Sequence, residues 1–406
     1  MRSGYTPRRR VLETLNHREP DRVPIDLGGM LSTGIHAIAY AKLKEHLGLR
    51  GGAIRVLDTF QFLAIPEEPV LKFVWADVRP LIREPKEWRK WCLADGTECL
   101  VPYDFRPKLQ ADGSYVYTDS RGVTLRMPPK GYYFDMIRHP LSGAEDVGDL
   151  KKYDWDALVI REELPHWESL REMGERARKL YAKEYAVMFN FGGNVFEGAW
   201  ALRGFSKFLA DLIRRPHMAE FIMDKLVEVY EENFRIYMRY LKGYFDIVQV
   251  GDDLGHQEGP IIPPKIYREL VKPRHEELYS FIKRESGGAY LFMHSCGSIY
   301  TFIPDLIEIG VDIINPVQVS ARDMDTKRLK EEFGDEIVFW GGGCDTQRIL
   351  PLGTPDEVRD EVRRRISDLA PGGGFVFAQV HNIQPEVPPV NIVAMYEAVH
   401  EYGWYR

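Results

Sequence analysis

His294 and Cys296 stand two residues apart in Phe292-Met293-His294-Ser295-Cys296-Gly297. On a β-strand that spacing puts both side chains on one face. Cys344 closes a second stretch, in which the apolar run Ile337-Val338-Phe339-Trp340 gives way to Gly341-Gly342-Gly343. One imidazole and two thiolates at strand ends make a three-ligand zinc site with an open fourth position, as catalytic rather than structural zinc requires. Two thiolates would offset the charge of the ion and suit it to soft chemistry. It could hold an incoming thiolate deprotonated yet nucleophilic, or act as a Lewis acid on the oxygen of a methyl donor. Hydrolysis through a metal-bound hydroxide is less well served by thiolate ligands. The bland reading of Cys296 and Cys344 is two buried small apolar residues; His294 in register and the flanking glycines favour the metal.

Other polar residues gather where apolar segments end. They are Asn190 and Asn194, the pair Asp252-Asp253, Gln318, and His381-Asn382, with His256 in the loop after the aspartates. Neighbours on a strand end face opposite ways, so only one of Asp252 and Asp253 can point to the metal cavity, as an acid/base or a resting fourth ligand. A helix cap or strand-end turn is the competing role for both. Asn190, Asn194, His256, Gln318 and His381 are candidates to face a substrate or cofactor, though each alone is more often a hydrogen-bonded loop residue.

The elements that must position these residues alternate regularly. Apolar strand-like segments at 185–191, 245–250, 289–294, 311–314, 337–340 and 375–378 alternate with helical patterns from Tyr185 to the C-terminus. Near-continuous apolar strands imply burial on both faces and hence a parallel sheet. Val23 to Leu27 and one more early strand bring the number to about eight, which a closed (β/α)8 barrel needs. The spacing predicts helices at the N-terminus, and residues 55–62 read equally as helix or strand. The stretch from 145 to 184 reads as charged and mainly helical. From about 75 to 140 the texture changes to Asp95-Gly96 and Asp112-Gly113 turn signals with Tyr-, Trp- and Pro-rich segments between them. This predicts a small β-rich insertion within a single barrel domain spanning 1–406. Its aromatics (Trp88, Trp91, Tyr103, Phe105, Tyr115, Tyr117) could wall a substrate pocket. No Gly-x-Gly-x-x-Gly follows the first strand, so a dinucleotide site is not expected.

With 44% hydrophobic residues and a net charge of -7, the composition supports a sizeable core and offers no basic stripe for nucleic acid. No apolar run nears the ~18 residues of a membrane span, and the basic N-terminus lacks the apolar stretch of a signal peptide. Four cysteines in so long a chain make no disulfide framework. A cytoplasmic protein with reduced thiols is expected, and Cys92 and Cys99 read as structural.

The chain resembles the uroporphyrinogen decarboxylase-like superfamily, and within it the zinc-dependent corrinoid methyltransferase branch. The resemblance is carried by Met293 to Ser298, Asn315-Pro316-Val317-Gln318, Phe339 to Gln347, Ala370 to Phe375 and His381 to Ile392. It implies a (β/α)8 TIM barrel with the site at the C-terminal strand ends and zinc on His294, Cys296 and Cys344. The arginine-rich substrate motif of true decarboxylases is replaced by Asp21-Arg22-Val23-Pro24-Ile25-Asp26. The resemblance further implies methyl transfer from a small methylated donor, such as a methoxylated aromatic, to the Co(I) corrinoid (cobalamin) of a partner protein. Zinc would polarise the leaving oxygen, and Asp252 or Asp253 would supply a proton. Transfer from a methyl-corrinoid to a thiol of the coenzyme M type, and metal-free decarboxylation of a uroporphyrinogen, are the alternatives. A homodimer is compatible with the sequence.

Overall fold

A computed structural model describes residues 4–405. Seven parallel strands run in the order Phe375–Val376, Val338–Trp340, Ile313–Asn315, Tyr290–His294, Ile247–Gly251, Ala186–Gly192 and Val78–Leu81. The extended segment 23–27 lies between the two edges of this sheet and closes it. Ile25 bridges Phe377 in parallel. The Asp26 amide donates to the Phe377 carbonyl at 2.9 Å, and the Asp77 amide donates to the Ile25 carbonyl at 2.8 Å. The architecture is a (β/α)8 barrel, with eight extended segments and helices outside.

Along each strand the side chains alternate between two cores, as the period of two demands. Ala186, Met188, Ile247, Phe292, Ile313, Val338 and Trp340 fill the barrel. Val187, Phe189, Val248, Leu291, Met293 and Phe339 face the helices. The helix Pro7–Leu15, begun by the Thr6 cap and a proline at its first position, sends Val11 and Leu15 into the barrel core. Beside it a buried ion cluster seals the N-terminal end. Arg10 and Arg22 meet Asp77 at 2.6 and 2.8 Å, and Arg10 meets Asp21 at 2.6 Å. Arg22, which stands in the stretch replacing an arginine-rich substrate motif, is therefore engaged structurally and far in sequence and role from the strand ends that carry the candidate site.

The residues between Leu81 and Ala186 carry a hairpin, Trp88–Cys92 with Glu98–Pro102, and a four-stranded antiparallel sheet built from Lys108–Leu109, Tyr115–Thr118, Thr124–Met127 and Asp135–Arg138. Gly96 and Gly113 take positive φ at the two turns. Three expectations change. The second barrel strand, Val78–Leu81, falls inside the stretch read as insertion. Residues 55–62 contribute the strand Val56–Asp58 to a small sheet with Leu63–Ala64 and Ile35–His36. Between 145 and 184 the one long helix is Leu170–Tyr181, preceded by two single turns at Val147–Leu150 and Trp155–Leu158. The helix starting at Pro264 contains a π-helical turn, Tyr267–Val271, where Pro273 removes an amide donor. Among the described residues no helix is long and apolar enough to cross a membrane.

Candidate metal centre at the barrel mouth

His294 is the last residue of its strand and is aligned with Asn315 on the next strand. That register lets the imidazole Nδ1–H donate to Asn315 Oδ1 at 2.6 Å, while the Asn315 amide donates to the Trp340 carbonyl at 2.8 Å. With Nδ1 thus occupied, Nε2 is the nitrogen free for a ligand. Cys296 follows on the same face, and its Sγ lies 3.4 Å from His294 Nε2. The ligand atoms of His294, Cys296 and His381 all lie within 4.8 Å of one another. A tetrahedral zinc ion with bonds of about 2.3 Å to sulfur and about 2.0 Å to nitrogen would hold those two atoms about 3.5 Å apart, so the pair fits with little movement.

His381 reaches this group from the loop after the last strand. Its backbone is left-handed, φ 59°, and its carbonyl accepts from the Gln379 amide at 2.9 Å. A non-glycine residue in that region costs of order 1 kcal/mol and persists only where surrounding contacts enforce it. Burial, with His294 close by, lowers the pKa of His381 to about 3. The ring is neutral at neutral pH, the state a metal ligand needs.

Cys344 is not in this group. It is fully buried in the core shared with the helices, and its charged neighbours are Glu361, Asp345 and Arg365. The turn before it explains the change of face. Gly341 and Gly342 both take positive φ, 107° and 69°, so the alternation that puts Trp340 inside the barrel does not continue to residue 344.

The two aspartates separate as neighbours on a strand end must. Asp252 is fully buried and spent on structure. It accepts the amides of Phe196 and Glu197, both at 2.7 Å, at the start of the helix Val195–Arg203, and meets His275 Nε2 at 2.8 Å. Its expected catalytic role is corrected on that ground, since both of its oxygens are engaged in these structural bonds. Asp253 faces the group. Its Oδ1 accepts the Cys296 amide at 2.7 Å and lies 3.9 Å from His294 Nε2.

Glu197 joins the site unannounced by the sequence reading. Burial, reinforced by the charges of Asp253 and Asp252, pushes its carboxyl well above the usual carboxylate range. The same burial, with Asp253 and Glu197 nearby, raises the Cys296 thiol. Asn194 holds Glu197 by donating to its Oε2 at 2.6 Å. The Asn-x-x-Glu spacing at a helix start was the available signal for this pairing. The strand register opposite His294 was the signal for Asn315.

The remaining candidates do other work. Gln318 braces the turn after Cys296, accepting the Gly297 amide at 2.9 Å and donating to Gln257 at 3.0 Å. Asn190 donates to the Gly29 and Met188 carbonyls. His256 is exposed on a small hairpin, where its ring accepts the Glu258 amide. None of these three belongs to the ligand group.

A closed parallel barrel with nitrogen and sulfur ligands converging at the C-terminal ends of its strands is the layout of a TIM-barrel active site. The model of the uroporphyrinogen decarboxylase (URO-D) family matches residues 115–402, and the chain belongs to this family. Among curated proteins it is similar to the uroporphyrinogen decarboxylase of Alkalilimnicola ehrlichii, at 33% identity over 74 residues, 18% of this chain and 20% of that protein. It is also similar to that of Teredinibacter turnerae, at 25% over 202 residues, 49% and 52% of the two chains. The chain thus spans between a fifth and about half of the length of these relatives. Among solved structures it is similar to a methyltransferase from Methanosarcina mazei, with a TM-score of 0.61 at 17% identity over 98% of this chain and 99% of that one. That likeness shows a shared fold.

Proposed function

We propose that this protein is a zinc-dependent methyltransferase that moves a methyl group from a small methylated donor, such as a methoxylated aromatic, to the Co(I) corrinoid of a partner protein. The observation that carries the reading is the convergence of His294, Cys296 and His381 at the barrel mouth. Two imidazoles and a thiol are a donor set that selects zinc over hard cations. They leave a fourth position for the donor. Once bound, zinc supplies Lewis acidity to the leaving oxygen. Asn315 fixes the tautomer and angle of His294. Asp253 anchors the Cys296 backbone. Glu197, whose carboxyl is pushed towards its protonated form by burial and by the neighbouring carboxylates, can deliver the proton that the demethylated oxygen takes up. The methyl carbon exchanges its bond to oxygen for a bond to cobalt, whose electron pair makes that new bond.

The test is formation of methylcobalamin, followed by its visible spectrum, when zinc-loaded protein meets Co(I) cobalamin and a panel of methoxylated aromatics. Methylation that depends on His294 and Cys296 is expected. Absence of methyl transfer together with carbon dioxide release from a porphyrinogen would overturn the proposal and place the activity with that of the named relatives. Methyl transfer from methylcobalamin to a thiol, without the forward reaction from an ether, would reassign the direction.

A further inference from the structure

The β-rich insertion encloses a cavity of about 310 Å³ against the barrel's N-terminal segment. This lies at the lower end of the ~300–1,000 Å³ of small-molecule sites. Its walls include Phe62, Trp91, Tyr115, Met127 and Tyr132, with exposed Lys130 at the rim. Phe62 and Trp91 lie nearly parallel, 6.4 Å between centroids, and Tyr115 meets Trp91 edge-on at 5.1 Å. His36 also lines the cavity and is 1% exposed.

His36 has an unusual hydrogen-bond state. Its Nδ1 accepts the Ile38 amide at 3.1 Å, capping the helix Ala37–His46. A neutral ring that accepts at Nδ1 must carry its proton at Nε2. That Nε2 is buried and has no hydrogen-bond partner. Burial lowers the His36 pKa to about 4, so the ring stays neutral at working pH. The Tyr132 backbone interacts with the ring and raises its basicity, but Nε2 finds no partner at hydrogen-bond geometry. A buried N–H without an acceptor is costly, and such groups in native proteins call for a partner.

We infer that this cavity binds a single-ring aromatic compound bearing an acceptor oxygen at its edge, an aryl ether or aryl carboxylate, with the ring among Trp91, Phe62 and Tyr115 and the oxygen accepting from His36 Nε2–H. Faces and edges of aromatic side chains suit a planar ring. Lys130 at the rim suits an acid substituent. The segment that carries His36 contacts the loop that carries His381. The His36 amide donates to the Ile383 carbonyl at 2.9 Å, two residues beyond His381, and the Gly34 amide donates to Asn382 Oδ1 at 3.0 Å. The inference goes beyond the methyl-donor reading and does not rest on it, since an oxygen held by His36 lies outside the His294–Cys296–His381 group. The binding itself requires neither zinc nor corrinoid.

The test is calorimetric titration of zinc-free full-length protein with 4-methoxybenzoate, benzoate and cyclohexanecarboxylate. One-to-one binding of 4-methoxybenzoate is expected, with cyclohexanecarboxylate at least tenfold weaker. His36→Asn retains an acceptor for the Ile38 amide while removing the donor into the cavity, and should weaken binding about tenfold. Trp91→Ala is expected to weaken it at least as much, and thermal melts verify folding of both variants. No binding of either aryl probe at millimolar concentration would overturn the inference, as would equal affinity for the cyclohexane acid or unchanged affinity in both variants. Aryl binding without methyl transfer would leave this site standing and refute only the activity.

Discussion

Replacing His381 by Ala and Cys344 by Ser, separately, asks which side chain completes the proposed metal centre. The structure brings His381 together with His294 and Cys296 and leaves Cys344 out of that group. Binding of structural zinc by four protein ligands is worth about 10–16 kcal/mol, or about 3–4 kcal/mol for each ligand. At about 1.4 kcal/mol per decade, His381→Ala should weaken zinc binding by about 10²–10³-fold. Cys344→Ser leaves the ligand group intact. It exchanges one buried thiol for a hydroxyl, costing about 1–2 kcal/mol of fold stability with zinc affinity within about a factor of two of wild type. Competition against a chromophoric zinc chelator reads affinity, and a thermal melt of the metal-free proteins reads folding. The reverse pattern, with Cys344→Ser losing zinc by a hundredfold or more while His381→Ala retains it, would refute the assignment. Loss in both variants would give the centre all four side chains and leave it no open position.

Asn315→Ala should weaken zinc by about 10–100-fold by freeing the His294 ring, and should cost about 1–3 kcal/mol by leaving the Trp340 carbonyl unpaired; the same chelator titration and a urea unfolding curve separate the two effects. A methyl group at Gly297 would lie 2.3 Å from the Gly255 carbonyl carbon on a backbone at φ 83°, so Gly297→Ala should destabilise by about 2–4 kcal/mol, read as a lowered urea midpoint. Buried Asp26, bonded to Trp340 Nε1 at 2.9 Å, has its pKa raised from 3.8 to about 6, chiefly by burial. Folding then favours its protonated form, so its contribution is fullest below about pH 4 and is lost as pH rises through 6, amounting to about 3 kcal/mol by pH 7.5. Unfolding curves of wild type and Asp26→Asn across that range should converge or cross by that amount; parallel curves would show that Asp26 ionises without penalty.

The regular part of the barrel was legible because each of its six late strands is an apolar run bounded by glycine or proline. Val23 to Leu27 was legible for the same reason. The strand Val78–Leu81 was not, because Arg79 and Pro80 give it the composition of a loop; its register comes from pairing with Ala186 to Phe189. At the candidate metal centre, His294 and Cys296 could be placed together because a strand end has a period of two. His381 could not be ranked above the other loop histidines, since its aim depends on a left-handed backbone that no pattern announces. Cys344 is the converse case. Extrapolating strand alternation through Gly341 and Gly342 carries it inward, whereas two positive-φ glycines break the alternation and Cys344 stays outside the ligand group. The roles of Asp252 and Asp253 divide by the same geometry that made them alternatives, and only the amides of Phe196 and Glu197 decide which one is spent.

The closure of the sheet by residues 23–27 has a consequence for how the chain is made. The segment's partners are Phe377 at one edge and Asp77 at the other, so the ring cannot shut until residues some 350 positions apart in the chain are both present. During synthesis at about 5–20 residues per second, the N-terminal segment waits roughly 18–70 seconds for its last neighbour. Over that interval Ile25 and the strand Val78–Leu81 lack the partners that close the sheet in the folded barrel, which leaves them as unpaired edges of the kind that invite pairing with another chain.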